Sequence, residues 1–237
     1  MPSSIVTLLS KKLFPRRHDG EALIESIRSK NLSYCGFPKL ENIAAVVQSV
    51  EQQRVPGMFI EAGVALGGSA ILIARLKSPT RQFSLFDVFG MIPPPSARDE
   101  PDAHTRYQEI ASGTSDGLRG DKYYGYEDDL YTKVRRNLVE NGVNLDRDRV
   151  TLVKGLFEDT LEIREPVAFA HVDCDWYDSV KVCIERITPQ LSPNGILIFD
   201  DYQSYSGCRR AVDEFLATRR NFSVVTINRS ITIKKAR

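Results

Sequence analysis

Two of the most hydrophobic segments of the chain end on closely spaced acidic residues. The segment AFAHVDCDWYDS ends its apolar run at Asp173 and Asp175, and GILIFDDY ends at Asp200 and Asp201. Residues i and i+2 of a strand point to the same side of a sheet, so Asp173 and Asp175 are expected to face one cavity. If Asp200 and Asp201 end the neighbouring strand, several carboxylates meet at one edge of the sheet.

Carboxylates gathered in this way need a cation, because they repel one another and lose solvation on burial. No thiolate pair and no histidine cluster accompanies them in the sequence. Oxygen ligands alone favour Mg²⁺, with Mn²⁺ or Ca²⁺ as substitutes. In the alternative interpretation, Asp175 or Asp178 caps a helix and Asp201 belongs to a loop turn. Each helix needs only one N-cap residue, so the capping interpretation leaves some of the acids unexplained. A metal site is therefore favoured.

A glycine-containing turn, EAGVALGG, follows another apolar segment and includes Glu61 and Gly63. Its glycines let the backbone approach a nucleotide-like ligand, although the spacing is not the GxGxxG of dinucleotide-binding proteins. An acid at position 61 suits an ammonium group better than a pyrophosphate. Asp87 ends the next apolar segment, where it would accept hydrogen bonds from two ribose hydroxyls or, alternatively, cap a turn. Together these residues indicate S-adenosylmethionine rather than a dinucleotide.

These residues require a sheet that brings the strand ends to one edge. Short apolar runs alternate with segments of helical periodicity, which predicts a mainly parallel sheet covered on both faces. The last segment, FSVVTINRSITIKK, predicts two strands joined by a short turn and therefore antiparallel. The other predicted strands are MFIEAG, QFSLFDVF, VTLVKG, VAFAHVD and GILIFDD; the main predicted helices are LENIAAVVQSVEQQ, AILIARLK, DDLYTKVRRNLVEN, residues 178–190 and CRRAVDEFLATR. The expected fold is α/β with seven strands.

Residues 88–129 interrupt this alternation after the second predicted strand. The stretch is rich in proline and glycine, and loops of such length are usually lids, binding loops or disordered segments. Aromatic residues are scarce in disordered linkers, and here they include Phe89, Tyr107, Tyr123, Tyr124 and Tyr126. A partly helical lid is therefore favoured over a solvated insertion.

The composition limits the classes of partner. The chain has 237 residues and a formal net charge of +1, which gives no bias towards nucleic acid or an anionic membrane.

Four scattered cysteines indicate thiols in a reducing compartment. No apolar run is long enough for a secretory signal or a membrane span, so a cytoplasmic protein is expected. One domain spanning 1–237 is predicted, with a helical N-terminal lead over 1–39. The basic, amphipathic residues 1–30 are a candidate contact of a homodimer.

Four segments resemble the macrocin O-methyltransferase family: VPGMFIEAGVALGGSA, GLFEDTL, VDCDWYDSV and LSPNGILIFDDYQSYSGCRRAVDEF. The resemblance covers residues 40–217. It implies a Rossmann-like class I methyltransferase fold that uses S-adenosylmethionine and Mg²⁺. Members of this family methylate sugar hydroxyls of macrolide and aminocoumarin antibiotics, and the long insertion matches the lid of the family.

The resemblance also implies roles for individual residues. The metal ligands would be Asp173, Asp200 and Asp201, and the general base would be Asp175. His171, on the same strand face as Asp173, is an alternative base, although a hydrogen-bonded strand histidine is favoured. Where the family commonly has glycine the chain has Cys174, which changes backbone freedom but no ligand. The residues expected to hold the methyl donor are Glu61, Gly63, Ala65, Ser69, Asp87, Gly155, Phe157 and Asp173.

The function expected from these observations is Mg²⁺-dependent methylation of a hydroxyl on a glycosylated small molecule. A carboxylate near the metal would accept the hydroxyl proton, and the aromatic residues Tyr123, Tyr124, Tyr126, Trp176 and Tyr177 would stack on the acceptor or pack in the core. Any vicinal diol suits the same metal, so a catechol-like acceptor is an alternative. A nicotinamide-dependent oxidoreductase is less favoured because the GxGxxG motif is missing. A non-catalytic binding module is also less favoured, because all four carboxylates are present.

Overall fold

The chain is described here by a computed structural model that covers the backbone of residues 17–237 and the side chains from residue 20 onwards. Residues 1–16, which belong to the predicted helical lead and the predicted dimer contact, lie outside this range. The rest of the lead contains a helix, α1, over Arg17–Ser29, whose Ile24 and Ile27 are buried in the core. No helix within the described range has the length and apolarity needed to cross a membrane.

The structure contains one seven-stranded sheet in the order β3-β2-β1-β4-β5-β7-β6. The first five strands in this order are parallel, and β7 runs antiparallel to both β5 and β6. This confirms the predicted mainly parallel sheet with a C-terminal antiparallel pair. The strands are β1 Met58–Ala62, β2 Phe83–Asp87, β3 Val150–Lys154, β4 Val167–Val172, β5 Leu191–Phe199, β6 Phe222–Asn228 and β7 Ser230–Lys235.

Helices cover both faces of the sheet because strand residues alternate between two apolar clusters. The first cluster unites one face with α1, α2, α3 and α5, and the second unites the other face with α7 and α8. Phe59 of β1 belongs to the first cluster, whereas its neighbours Met58 and Ile60 belong to the second. The remaining helices are α2 Phe37–Gln52, α3 Gly68–Leu76, α4 Pro101–Ala111, α5 Leu130–Glu140, α6 Phe157–Thr160, α7 Tyr177–Ile187 and α8 Ser206–Thr218.

Three predicted boundaries need correction. The second strand stops at Asp87 because Phe89 adopts a φ of 47°, which a strand does not accommodate. The helix predicted over 178–190 ends at Ile187, and a 3₁₀ turn that contains Pro189 follows it. The strand predicted from Gly195 begins earlier, at Leu191.

The insertion between Asp87 and Asp129 is partly helical, as predicted. It contains α4 and two 3₁₀ turns, Leu118–Gly120 and Tyr124–Tyr126. Its first half lies against α7 and α8 through hydrogen bonds to the first turns of both helices. The insertion therefore closes over the carboxyl edge of the sheet, where the predicted site residues lie.

Candidate active site

Three of the acids singled out in the sequence form a compact cluster at this edge. Carboxylate oxygens of Asp173, Asp175 and Asp201 all lie within 4.8 Å of one another. Asp201 is buried, and the other two are half-buried. The spacing suits shared ligation of one hard cation, since oxygen ligands of divalent ions lie about 2.0–2.6 Å from the ion.

Strand pairing continues one residue beyond β4 and β5 and places the acids at the edge. The backbone N–H of Asp173 donates to the carbonyl of Ala62 over 2.8 Å, and that of Asp200 donates to Val172 over 2.9 Å. Gly63, with a φ of 89°, passes so close that an added Cβ would overlap the carbonyl oxygen of Asp173. Only glycine fits this position, which explains the glycine after β1.

The reason given from the sequence for pairing Asp173 with Asp175 is wrong, although the two side chains do meet. Strand alternation does not apply, because β4 ends at Val172. Asp175 instead adopts a left-handed conformation, with a φ of 58°, and this returns its side chain to the acid cluster. Cys174 points the other way, as predicted, and packs in the core beneath α7 and α8.

Within the described part of the chain, Asp200, unlike the other three acids, forms an ion pair with a lysine of α2. Its Oδ2 lies 2.5 Å from Nζ of Lys39, and the two side chains are 5% and 14% exposed. Its Oδ1 lies 3.6 Å from Nε2 of His171 and has no hydrogen-bond partner among the described residues. One oxygen of Asp200 is therefore occupied, and the other is available.

Glu61 and His171 form a fully buried pair beneath the site. They are neighbours in the register of β1 and β4, and Nδ1 of His171 lies 2.9 Å from Oε1 of Glu61. Both side chains have no solvent exposure. Glu61, expected to hold the methyl donor, is thus engaged by a protein group, and His171, the alternative base, is a strand histidine with one nitrogen bonded.

The electrostatics divide the acids into two groups. Burial and repulsion from Asp200 and Asp201 raise the pKa of Asp173, and burial with repulsion from Asp201 raises the pKa of Asp175. Burial and Asp200 also raise the pKa of Asp201. For Asp200, burial acts in the same direction, but His171 and Lys39 outweigh it and lower its pKa. For Asp173 and Asp201, burial and repulsion outweigh the lowering effects of His171 and Lys39, respectively, on the pKa, so these two acids lack sufficient positive charge nearby.

A cavity of about 190 Å³ adjoins the acid cluster. It contains six of the predicted site residues, namely Gly63, Asp87, Gly155, Phe157, Asp173 and Asp175. The insertion contributes part of the wall through Ile92, Pro93, Pro94, Ser96 and Asp99. The other predicted residues, Glu61, Ala65, Ser69, Asp200 and Asp201, do not line it.

Asp87 fixes the glycine turn as well as lining the cavity. One of its carboxylate oxygens accepts from the backbone N–H groups of Val64, at 2.6 Å, and Ala65, at 3.2 Å. The other accepts from the N–H of Phe89 at 2.6 Å. Burial nevertheless raises the pKa of Asp87, against the lowering effect of these three donors. The oxygen that accepts only from Phe89 retains a lone pair for a ligand hydroxyl.

The alternative interpretation of the acids as helix caps is contradicted for α7. Its N-cap residue is Trp176, with no side-chain cap bond, and neither Asp175 nor Asp178 serves it. Acids of the insertion take this role instead: Asp99 accepts from the N–H of Tyr177 at 2.7 Å, and Asp102 accepts from that of Ser206 in α8 at 2.9 Å. Asp178 pairs with Arg98.

The predicted aromatic residues separate into two sets. Tyr124 and Trp176 line the cavity, and Nε1 of Trp176 donates to the carbonyl of Pro93 over 2.9 Å. Tyr126 donates its hydroxyl to a carbonyl within the insertion, and Tyr177 packs against arginine side chains outside the cavity. The buried Tyr123 packs against the rings of Tyr124 and Tyr126.

Sequence reasoning missed Lys39, Cys35 and the two capping acids of the insertion. Lys39 contacts an acid 161 positions away, and its surroundings in the sequence are those of any amphipathic helix. Cys35 precedes the same helix, and its thiol lies 3.8 Å from Oδ2 of Asp173. No local pattern marks such residues, because their partners are set by how α2 packs on the sheet.

Comparison with known proteins agrees with this geometry. The model of the macrocin O-methyltransferase (TylF) family matches residues 15–227. An 8-demethyl-8-(2,3-dimethoxy-α-L-rhamnosyl)-tetracenomycin-C 4′-O-methyltransferase of Streptomyces olivaceus is 32% identical over 186 residues, which cover 76% of this chain and 66% of that protein. A demethyldecarbamoylnovobiocin O-methyltransferase of Streptomyces niveus is 29% identical over 191 residues, covering 77% and 66%. The chain thus spans slightly less than two thirds of both relatives.

Solved structures show the same fold. The O-methyltransferase NovP superposes with a TM-score of 0.71 and 28% sequence identity, covering 87% of this chain and 83% of that one. An O-methyltransferase of Bacillus cereus in complex with SAH has a TM-score of 0.52 at 17% identity, covering 99% and 98%, and supports the fold alone. The sheet order, the strand-end acids and the family match together lead to one identification. The chain belongs to the macrocin O-methyltransferase family.

Proposed function

We propose that this protein is a Mg²⁺-dependent O-methyltransferase that moves the methyl group of S-adenosylmethionine to a sugar hydroxyl of a glycosylated natural product. The observation that carries the proposal is the convergence of Asp173, Asp175 and Asp201 beside a cavity at the carboxyl edge of the sheet. The two named relatives methylate a rhamnosyl-tetracenomycin and a demethyldecarbamoylnovobiocin, which supports this substrate class.

The residues of the cavity fit the methyl donor. Gly63 and Gly155 have positive φ values, 89° and 149°, and expose backbone that a side chain would cover. Asp87 offers one carboxylate oxygen to a ribose hydroxyl, and Phe157 lines the cavity where it can pack against the adenine. Asp173 and Asp175 place negative charge in the same cavity, where a sulfonium or an ammonium group would be stabilised.

The acids also fit a divalent cation. Oδ1 of Asp200 and Oδ2 of Asp201 are buried and have no hydrogen-bond partner among the described residues. Such orphaned oxygens are costly unless a ligand binds them. Mg²⁺ would be held by Asp173, Asp200 and Asp201, the last two through these oxygens. When bound, the ion lowers the pKa of an acceptor hydroxyl and positions it.

Asp175 is the general base of the proposed reaction. It lines the cavity, whereas Asp200 and Asp201 do not, so it faces the donor side of the acid cluster. Its raised pKa, caused by burial and by Asp201, makes its carboxylate a stronger base than an exposed one. Asp175 accepts the proton of the acceptor hydroxyl as the oxygen bonds to the methyl carbon and the carbon–sulfur bond breaks.

The insertion excludes water from this reaction. Pro93, Pro94 and Asp99 wall the cavity, and Trp176 anchors the wall through its bond to the carbonyl of Pro93. A dry cavity strengthens the attraction between the acids and a cationic donor. It also keeps water from competing with the acceptor hydroxyl for the methyl group. The hydrogen bond from the N–H of Tyr177 to Asp99 ties the closed insertion to α7.

The proposal is tested with purified protein, labelled S-adenosylmethionine and a panel of glycosylated acceptors and catechols. We expect methyl transfer to a sugar hydroxyl, its loss after chelation and its recovery with Mg²⁺. Asp200→Asn should weaken Mg²⁺ binding, whereas Asp213→Asn, which changes an exposed acid bonded to Tyr202, should not. Methylation of catechols alone would reassign the acceptor. Methyl transfer that survives exhaustive chelation would disprove the role of the metal.

A further inference from the structure

A second group of ligand atoms adjoins the acid cluster at Asp173. Ligand atoms of Cys35, His171 and Asp173 are within 4.8 Å of one another. In a tetrahedral site with metal–ligand distances of about 2.0–2.3 Å, two ligand atoms lie roughly 3.3–3.8 Å apart. The group therefore needs a side-chain adjustment of about 1 Å to surround one ion. It shares Asp173 alone with the acid cluster.

The orientation of His171 indicates a ligand at this position. Its Nδ1 is bonded to Oε1 of Glu61 at 2.9 Å, and its Nε2 lies 3.6 Å from Oδ1 of Asp200, beyond hydrogen-bond distance. Nε2 is fully buried and has no hydrogen-bond partner among residues 20–237. Metal-binding histidines characteristically use one nitrogen for a carboxylate and the other for the metal. An unpartnered polar atom at this depth is otherwise costly.

The charges of the surroundings suit a divalent ion. Lys39 neutralises Asp200 at 2.5 Å, so Asp200 contributes little net charge. A thiolate at Cys35 and a carboxylate at Asp173 would carry two negative charges. Burial lowers the pKa of His171, but Asp200 and Glu61 outweigh burial and raise this pKa to about 10. Ligation by Nε2 therefore requires that the ion displace a proton from the imidazole, and this proton leaves to solvent. Binding requires the thiolate, so the thiol proton leaves to solvent when the ion enters.

We propose that Cys35, His171 and Asp173 form a second cation position, separate from the acid cluster, which takes Zn²⁺ or Co²⁺ in preference to Mg²⁺. Sulfur and imidazole ligands favour these ions, whereas Mg²⁺ requires oxygen ligands. Three protein ligands leave one position of a tetrahedron open. An ion here engages Asp173 and therefore opposes Mg²⁺ binding at the acid cluster. The inference rests on the ligand geometry and does not depend on the proposed methyl transfer.

The test is a titration of the metal-free, full-length protein with Co²⁺ in the absence of methyl donor and acceptor. We expect a thiolate-to-cobalt charge-transfer band in the near ultraviolet and the visible bands of tetrahedral Co²⁺. Zn²⁺ should abolish both sets of bands, and an excess of Mg²⁺ should leave them in place. Cys35→Ala should lose the charge-transfer band and bind Co²⁺ more than about 10-fold more weakly.

Cys183→Ala is the matched control, because Cys183 is another fully buried thiol, on α7. It should retain the charge-transfer band, and circular dichroism should show that both variants are folded. Three results would overturn the inference: Co²⁺ bound without sulfur ligation, a band that persists in Cys35→Ala, or a band that Mg²⁺ removes as readily as Zn²⁺. The wild-type spectrum and its metal competition decide the matter even if Cys35→Ala fails to fold. Neither depends on whether the protein methylates any acceptor.

Discussion

Replacing Lys39 by methionine would remove the cation that neutralises Asp200 while keeping much of the side-chain volume. The two charges are 2.5 Å apart, and an attraction of about 7 kcal/mol follows at an effective dielectric constant of about 20. The variant also avoids the desolvation of Lys39, which costs several kcal/mol. His171, 3.6 Å from the other oxygen, compensates part of the loss. We therefore expect Lys39→Met to lower the free energy of unfolding by about 3 kcal/mol, near the lower end of values for broken buried pairs.

The assay is denaturant or thermal unfolding of the metal-free protein. For a chain of this length, about 3 kcal/mol corresponds to a fall in melting temperature of roughly 6–12 °C. Lys133→Met is the matched control, because Lys133 pairs with Glu127 at 2.9 Å but both side chains are partly exposed. Its removal should cost less than about 1 kcal/mol. Mg²⁺ should recover part of the loss in Lys39→Met and stabilise this variant more than the wild type, since it supplies the missing charge.

The difference between Lys39→Met and the wild type should depend on pH in a defined way. The pKa of Asp200 is lowered in the folded protein, so its contribution is present above the unfolded value of about 3.9 and is lost as pH falls below it. The pKa of Lys39 is raised, because the nearby acids outweigh burial, so its contribution is present below about 10.4 and is lost at higher pH. The difference should persist between about pH 4 and 10, and it should grow with pH as Asp173 and Asp201, whose pKa values are raised, ionise near Lys39. A variant as stable as the wild type at pH 7, or one with no larger response to Mg²⁺, would refute this account.

Three further variants test the site. Asp175→Asn should lower kcat by about 10²–10⁴-fold, while calorimetry should show that binding of S-adenosylhomocysteine and Mg²⁺ stays within a few-fold of wild type. Equal losses in binding and kcat would contradict the role of Asp175 as the general base. Gly63→Ala should unfold at markedly lower temperature and lose donor binding, because the new Cβ would overlap the carbonyl of Asp173; a stable variant with normal donor affinity would show that the turn is not constrained. Asp99→Ala should destabilise the protein by about 1 kcal/mol through the lost bond from the N–H of Tyr177, and limited proteolysis should cut the insertion faster; unchanged cleavage would mean that Asp99 does not anchor it.

Much of the fold could be predicted from the sequence because its signals are local. Apolar runs with strand length, helical periodicity and the turn between β6 and β7 are each encoded within about 15 residues. The errors fell where backbone conformation departs from the local pattern, as at Phe89 with its positive φ. The long insertion could be predicted as partly helical but not placed. Its position depends on Asp99 and Asp102, which bond to helices that begin 78 and 104 positions later in the chain.

The acidic residues of the candidate site could be predicted from the sequence, but the cations that neutralise them could not. From the sequence Asp173, Asp175, Asp200 and Asp201 are equivalent, since each follows an apolar strand. The packing of α2 against the sheet makes them different, because it brings Lys39 into an ion pair with Asp200, whereas the other three form no ion pair with a described residue. No spacing rule anticipates a contact across 161 positions. The nearest sequence signal was the number of acids, which exceeded the number of helix ends that they would cap.

This division of the acids has a chemical consequence for how the site works. Four carboxylates at one edge carry more negative charge than one divalent ion neutralises, and an excess would raise the pKa of every acid and keep the base protonated. Lys39 and His171 stabilise the ionised form of Asp200, and the lowered pKa of this acid reflects that. A divalent ion bound to Asp173 and Asp201 would then balance those two charges. Asp175 alone would remain with a carboxylate that is unpaired, half-buried and free to take a proton, which is the state that a general base requires.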